Sequence, residues 1–162
     1  MTTAFSPAEL IKIAIGIERS ASTFFDIMAR TTDAELTKEV FEEFVRMEHE
    51  HLNTFQDLLS EIGHDPAQPT INPESSGYIQ ALIDDAVFTN DAVISEAVAQ
   101  SDSDIKALEV GIGAEKDSIL FYQALKEFMP PRAVPALEQI ISGEKSHLQQ
   151  LTAIKKQLQN NG

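Results

Sequence analysis

Two stretches decide the reading of this chain: Glu48-His49-Glu50-His51, inside the apolar pattern from Phe41 to Ile62, and Glu144-Lys145-Ser146-His147, inside the pattern from Leu137 to Leu158. Each holds a Glu-x-x-His pair. On a helix, residues three apart share a face, so each pair aims a carboxylate and an imidazole the same way. A lone glutamate precedes each pair on an earlier apolar stretch, Glu18 for the first and Glu115 for the second. One such pair alone is a weak local pattern; two in register, each with its upstream glutamate, are not.

Written as seven-residue repeats, four apolar seams emerge. The first is Ile11, Ala14, Glu18, Ala21, Phe25, Met28, and the second is Phe41, Phe44, Glu48, His51, Phe55, Leu58, Ile62. The third is Leu108, Gly111, Glu115, Ser118, Tyr122, Leu125, Met129, and the fourth is Leu137, Ile140, Glu144, His147, Leu151, Ile154, Leu158. Each is interrupted near its middle by one glutamate. A core carboxylate without a partner gives up its charge or costs several kcal/mol. Four of them in one core repel strongly. No Lys or Arg occupies a matching seam position, so cations are the simplest remedy, and four carboxylates balance two divalent ions. Oxygen ligands with one imidazole per ion suit iron or manganese. The chain has no cysteine, which excludes thiolate zinc sites, iron–sulfur clusters and disulfides.

The halves repeat each other. Gly16-Ile17-Glu18 matches Gly113-Ala114-Glu115, and Phe24-Phe25 matches Phe121-Tyr122, at an offset of 97 residues. Glu48, His51 and Leu52 match Glu144, His147 and Leu148 at an offset of 96. Such a duplication predicts a pseudo-twofold axis.

Helix boundaries follow from local signals. Ser6-Pro7-Ala8-Glu9 offers an N-cap, a first-turn proline and a capping-box glutamate, opening a helix to about Met28. Thr32-Asp33-Ala34-Glu35 offers a second capping box, for a helix from about Asp33 to Ile62. Gly63, Pro66 and Pro69 stop it, and His64 reads as a turn residue. From His64 to Ser103 the pattern is broken by Pro66, Pro69, Pro73 and Gly77, with two short helical patterns near Tyr78 to Phe88 and Ala92 to Ala99. Ser101-Asp102-Ser103-Asp104 supplies caps for a third long helix, ending at Phe128-Met129 before Pro130-Pro131. The fourth starts between Pro131 and Pro135 and runs to about Leu158. Short links make two antiparallel hairpins. The expectation is an all-α, single-domain chain over residues 1–162: a four-helix bundle of two helical hairpins joined by a long crossover containing short helices.

The formal charge of -14 disfavours nucleic acid or an anionic membrane as partner. No apolar run approaches the roughly 20 residues needed to span a bilayer. Met1 to Pro7 lacks the basic and apolar regions of a signal peptide, so a cytoplasmic protein is expected.

The chain resembles the rubrerythrin group of the ferritin-like superfamily. Glu18, Glu48-x-x-His51, Glu115 followed by Phe121-Tyr122, and Glu144-x-x-His147 carry the resemblance, in order on four helices and over essentially the whole chain. It implies an antiparallel ferritin-like bundle holding two iron ions, with manganese or zinc as substitutes. By that likeness Glu48 and Glu144 bridge the ions, Glu18 and His51 cap one, and Glu115 and His147 cap the other. Tyr78 to Phe88 resembles the family's crossover helix. The resemblance implies reduction of hydrogen peroxide, with oxygen as the other candidate oxidant. The alternative is oxidation of Fe²⁺ in iron storage or handling without peroxide turnover. It also suggests a homodimer.

Two departures from the pattern stand out. Ser118 occupies the position where many rubrerythrins carry a further glutamate. The cysteine-ligated rubredoxin domain that many carry has no counterpart in a chain without cysteine, so an external electron-donor protein or small reductant is expected. Tyr122, one heptad after Glu115, is placed to donate a hydrogen bond to a ligand, to quench an oxidising intermediate, or simply to pack. His49 and Glu50 fall on other faces and read as solvated. Gly16, Gly113 and Gly143 stand near ligands, either for close approach of helices or small oxidants or for plain packing.

Overall fold

Ser6 caps the first helix as expected: its hydroxyl oxygen accepts the Glu9 backbone N–H at 3.2 Å, and Pro7 sits in the first turn, where its missing N–H costs nothing. The computed structural model describes residues 4–63, 70–86 and 104–161. They form α1 (Pro7–Thr31), α2 (Glu35–Ile62), α3 (Pro73–Asp85), α4 (Asp104–Lys126) and α5 (Val134–Asn160), with a 3-10 turn at Pro131–Ala133. No strand occurs among the described residues, and the architecture is all-α.

Several boundaries differ from the sequence expectation. Helix α1 runs on to Thr31, and Thr32 caps it by donating its N–H to the Met28 carbonyl at 3.1 Å. That commits Thr32 to the end of α1. The capping box expected at Thr32 to Glu35 therefore does not form: α2 begins after Ala34 with no side-chain cap, and Thr32 Oγ1 only accepts the Ala34 N–H at 3.3 Å. Helix α3 starts earlier than Tyr78. Asn72 caps it, accepting the Ser75 N–H at 2.8 Å, and Pro73 occupies its first turn, so the proline opens a helix rather than breaking one. The pattern at Ala92 to Ala99, the caps at 101–103, and His64 lie outside the described residues. Helix α4 ends at Lys126, and the chain tightens to i→i+3 bonds through Met129 before Pro130. Pro135 stands in the first turn of α5, as expected.

The seam residues are the core. Every buried residue of α2, Phe41, Phe44, Glu48, His51, Phe55, Leu58 and Ile62, is a predicted seam position. The seams of α1 and α4 and its following turn are likewise buried throughout; in α5 only Ile154 and Leu158 are half-exposed. Apolar packing divides into two clusters. One joins Leu10 and Ile11 of α1, Phe55 to Ile62 of α2, Tyr122 and Leu125 of α4, and Leu137 to Ile141 of α5. The other joins Phe24 to Ala29, Phe41, Phe44, Leu108 and Leu151. The sharing of ends means that α1 and α5 run one way and α2 and α4 the other. Ile79 of α3 packs into the first cluster, and the Ile71 N–H donates to the Phe5 carbonyl at 3.1 Å, tying the crossover to the segment before α1. Between the two apolar clusters lies a polar layer.

Candidate metal centre

That layer is made of the six predicted side chains. Glu18 comes from α1, Glu48 and His51 from α2, Glu115 from α4, and Glu144 and His147 from α5, each at mid-helix and each buried. Heptad spacing brings them inward: the flanking seam residues are apolar and fix the rotation of every helix. His51 Nδ1 lies 3.0 Å from Glu144 Oε1, 3.4 Å from Glu48 Oε2 and 3.7 Å from Glu18 Oε2. His147 Nδ1 lies 3.1 Å from Glu48 Oε1, 3.5 Å from Glu144 Oε2 and 3.6 Å from Glu115 Oε1. The two sets mirror each other, as the duplication predicts. Each histidine meets its own upstream glutamate, and both meet Glu48 and Glu144.

Ligand-type atoms of Glu18, Glu48, His51 and Glu144 all lie within 4.8 Å of one another, and those of Glu48, Glu115, Glu144 and His147 do likewise. No Lys or Arg is among the buried residues described, so no fixed cation of the protein answers these carboxylates. The buried oxygens Glu18 Oε2, Glu48 Oε1 and Oε2, and Glu115 Oε2, with both nitrogens of His147, make no hydrogen bond. Orphaned donor atoms of this kind, converging from four helices, fit two ions.

The electrostatics of the protein without metal agree. Burial, with the charge of Glu144 next, raises the pKa of Glu18, Glu48 and Glu115. Burial would raise Glu144 too, but the neighbouring Glu115, His147 and His51, the last hydrogen-bonded to it, hold it well below the usual range. Burial works against a charged His51, yet the hydrogen bond with Glu144 and the nearby carboxylates of Glu18 and Glu48 push it up to about 12. For His147 burial is likewise outweighed, by the carboxylates of Glu144 and Glu48 close to its Nδ1, and its pKa rises to about 9. The shifts thus favour protons on the cluster where cations would otherwise neutralise it.

Tyr122 is fully buried and its hydroxyl donates to Glu18 Oε1 at 2.6 Å. Of the roles open to it in the sequence, the hydrogen bond to a candidate ligand is present. Burial, then the charges of Glu18 and Glu144, raise its pKa, which keeps the phenol a donor. Ser118 is buried one turn after Glu115 and lines a cavity of about 210 Å³ between α1, α3 and α4, together with Gly16, Ile17 and Leu82. A side chain at Gly16 would meet nothing within 4 Å, whereas a Cβ at Gly143 would stand 3.0 Å from His51 Nε2. His49 and Glu50 are exposed, as read. The seam pattern placed Phe44 in the core without linking it to the site; its ring in fact lies 4.2 Å from that of His147, centroid to centroid. Its place one turn before Glu48 was the only signal.

No described helix is long and apolar enough to cross a membrane. The model of the rubrerythrin family matches residues 9–155. No curated protein matches the chain. Among solved structures, the crystal structure of a ferritin-like diiron-carboxylate protein from Thermotoga maritima is 22% identical, covers 96% of this chain and 98% of that one, and superposes with a TM-score of 0.78. At that identity the likeness shows the ferritin-like fold.

Proposed function

The chain belongs to the rubrerythrin family, and on that premise we propose that it is a di-iron oxidoreductase that reduces hydrogen peroxide to water, drawing electrons from a separate donor protein. The observation that carries this reading is the mirrored cluster, in which Glu48 and Glu144 each reach both histidines. When bound, an iron pair supplies two electrons and Lewis acidity, sufficient for H₂O₂ + 2H⁺ + 2e⁻ → 2H₂O.

The chain's own residues do the rest. Glu18 and His51 would hold one ion, Glu115 and His147 the other, and Glu48 and Glu144 would span both. The hydrogen bond from Tyr122 fixes one oxygen of Glu18 and leaves Oε2 facing the cluster. Phe25, Phe41 and Phe44 pack beside the His147 half and keep bulk water out. Burial raises the pKa of Glu48 and Glu115, so ions held there would displace protons from these carboxyls. The expected setting is the cytoplasm and the expected assembly a homodimer, which sedimentation velocity would check.

Stopped-flow mixing of Fe²⁺-loaded protein with peroxide tests the proposal. Oxidation should be fast and should slow by orders of magnitude in Glu144→Ala. Equal rates in the two proteins would refute it. Fast oxidation by oxygen alone, with iron retained in a large particle, would favour iron storage instead.

A further inference from the structure

The duplication makes the two halves of the centre alike in ligands, but their surroundings differ. At the 97-residue offset Tyr122 matches Phe25; at the 96-residue offset Ile140 matches Phe44. We propose that the two half-sites take up metal in order, Glu18–His51 first and Glu115–His147 second, and that Tyr122 is the positioning residue that sets this order. The inference rests on the metal centre proposed above.

The carboxylates differ first. The Tyr122 hydroxyl holds Oε1 of Glu18 at 2.6 Å, so Glu18 is oriented before an ion arrives, with the unpaired Oε2 on offer. Oε2 is orphaned on both glutamates, but Phe25 has no hydroxyl to give Glu115, so the Tyr122 hydrogen bond is the difference between them. Partners that orient a ligand from behind are typically worth about 10- to 100-fold in metal affinity.

The histidines differ in the same sense. Both rings face the carboxylates through Nδ1. An ion on Nδ1 forces the ring proton onto Nε2. At His147, Nε2 is buried with no partner, and the aromatic neighbours are Phe44 at 4.2 Å and Phe25 at 6.4 Å, so that N–H would have no acceptor. Neither nitrogen of His51 is among the buried unpaired atoms, and its side chain keeps 8% exposure against 2% for His147. Ligand orientation and proton placement both favour the Glu18–His51 half.

The test is a Mn²⁺ titration of chelator-treated protein followed by electron paramagnetic resonance, in which an isolated ion gives a six-line signal and a coupled pair does not. In the native sequence the six-line signal should grow to one equivalent and fall as the second binds, with the first ion held about tenfold or more tighter. Tyr122→Phe should bring the two affinities together. Glu115→Gln should leave the first equivalent almost unchanged, whereas Glu18→Gln should weaken it about tenfold. Circular dichroism confirms that each variant folds. Should Tyr122→Phe fail to fold, the two glutamine variants decide the matter. Two ions of equal affinity in the native protein, or a first equivalent lost in Glu115→Gln and kept in Glu18→Gln, overturns the order while leaving the metal centre and its peroxide chemistry standing. No Mn²⁺ binding at all overturns both.

Discussion

Tyr122→Phe removes a single oxygen atom from the middle of the bundle, and its cost can be worked from the contacts around it. The ring is fully buried and packs on Phe55 at 5.1 Å and Phe121 at 6.0 Å between centroids, contacts that phenylalanine keeps. What is lost is the 2.6 Å hydrogen bond to Glu18 Oε1. Since Glu18 Oε2 is already unpaired, the substitution leaves this buried carboxyl with neither oxygen bonded to a donor outside the cluster. Leaving a buried polar atom without its partner costs about 1–3 kcal/mol. For a chain of this size each kcal/mol is about 2–4 °C in Tm, so the metal-free variant should melt about 2–12 °C lower. Urea unfolding at pH 7 with chelator present measures it. The control is the same substitution in a Glu18→Met background, where the phenol has no carboxylate to serve. There the cost of losing the hydroxyl should fall below about 0.5 kcal/mol, the range of independent sites. If Tyr122→Phe costs the same in both backgrounds, the hydroxyl stabilises by something other than Glu18, and the positioning argument fails.

Other consequences of the same layer can be measured directly. Stability of the metal-free protein should fall as pH rises. Glu18, Glu48 and Glu115 are raised, so their contribution is whole below about pH 4.5 and lost above it; His147 contributes below its ordinary 6.5 and loses that contribution through about 9; only Glu144 runs the other way. Urea midpoints from pH 5 to 9 in chelator should show the decline, and a rising midpoint would contradict it. Loading with Fe²⁺ or Mn²⁺ at about 100 times Kd should add about 2.7 kcal/mol per site, seen as a Tm rise that chelator reverses. Gly143→Ala should weaken metal binding about tenfold, because its Cβ would stand 3.0 Å from His51 Nε2 and push the imidazole aside. Calorimetric metal titration checks this, and unchanged affinity would mean that the ring yields without loss.

The seams were legible because a helix core repeats on a fixed period: all seven positions read for α2 are its buried residues, and the glutamates among them are conspicuous as charges in an apolar row. The pairing of halves was legible for a similar reason, since matched offsets survive without any knowledge of distance. Local boundaries were harder. Thr32 carries a capping signature for α2 but is already used to end α1, and sequence does not say which helix wins. Pro73 reads as a breaker or as a first-turn residue, and only Asn72 acting as its cap separates the two. The asymmetry of the site was least visible. Tyr122 against Phe25 is written in the sequence, but that the hydroxyl reaches Glu18, on the other hairpin, depends on how α1 and α4 face each other.

The distances also bear on how the two hairpins meet. Each histidine lies nearer to a glutamate of the opposite hairpin than to its own helix partner: His51 is 3.0 Å from Glu144 and 3.4 Å from Glu48, and His147 is 3.1 Å from Glu48 and 3.5 Å from Glu144. Turns of a few residues hold α1 to α2 and α4 to α5, but only the long crossover joins the two hairpins. A long connection restrains its ends weakly, because the entropy of closing a loop changes slowly with length. The polar layer is where the hairpins must otherwise be pressed together at the cost of burying four acidic side chains, three of them with raised pKa. Cations shared through Glu48 and Glu144 would turn that unfavourable layer into a bond between hairpins, so that metal binding would add to the stability of a bundle already closed without it.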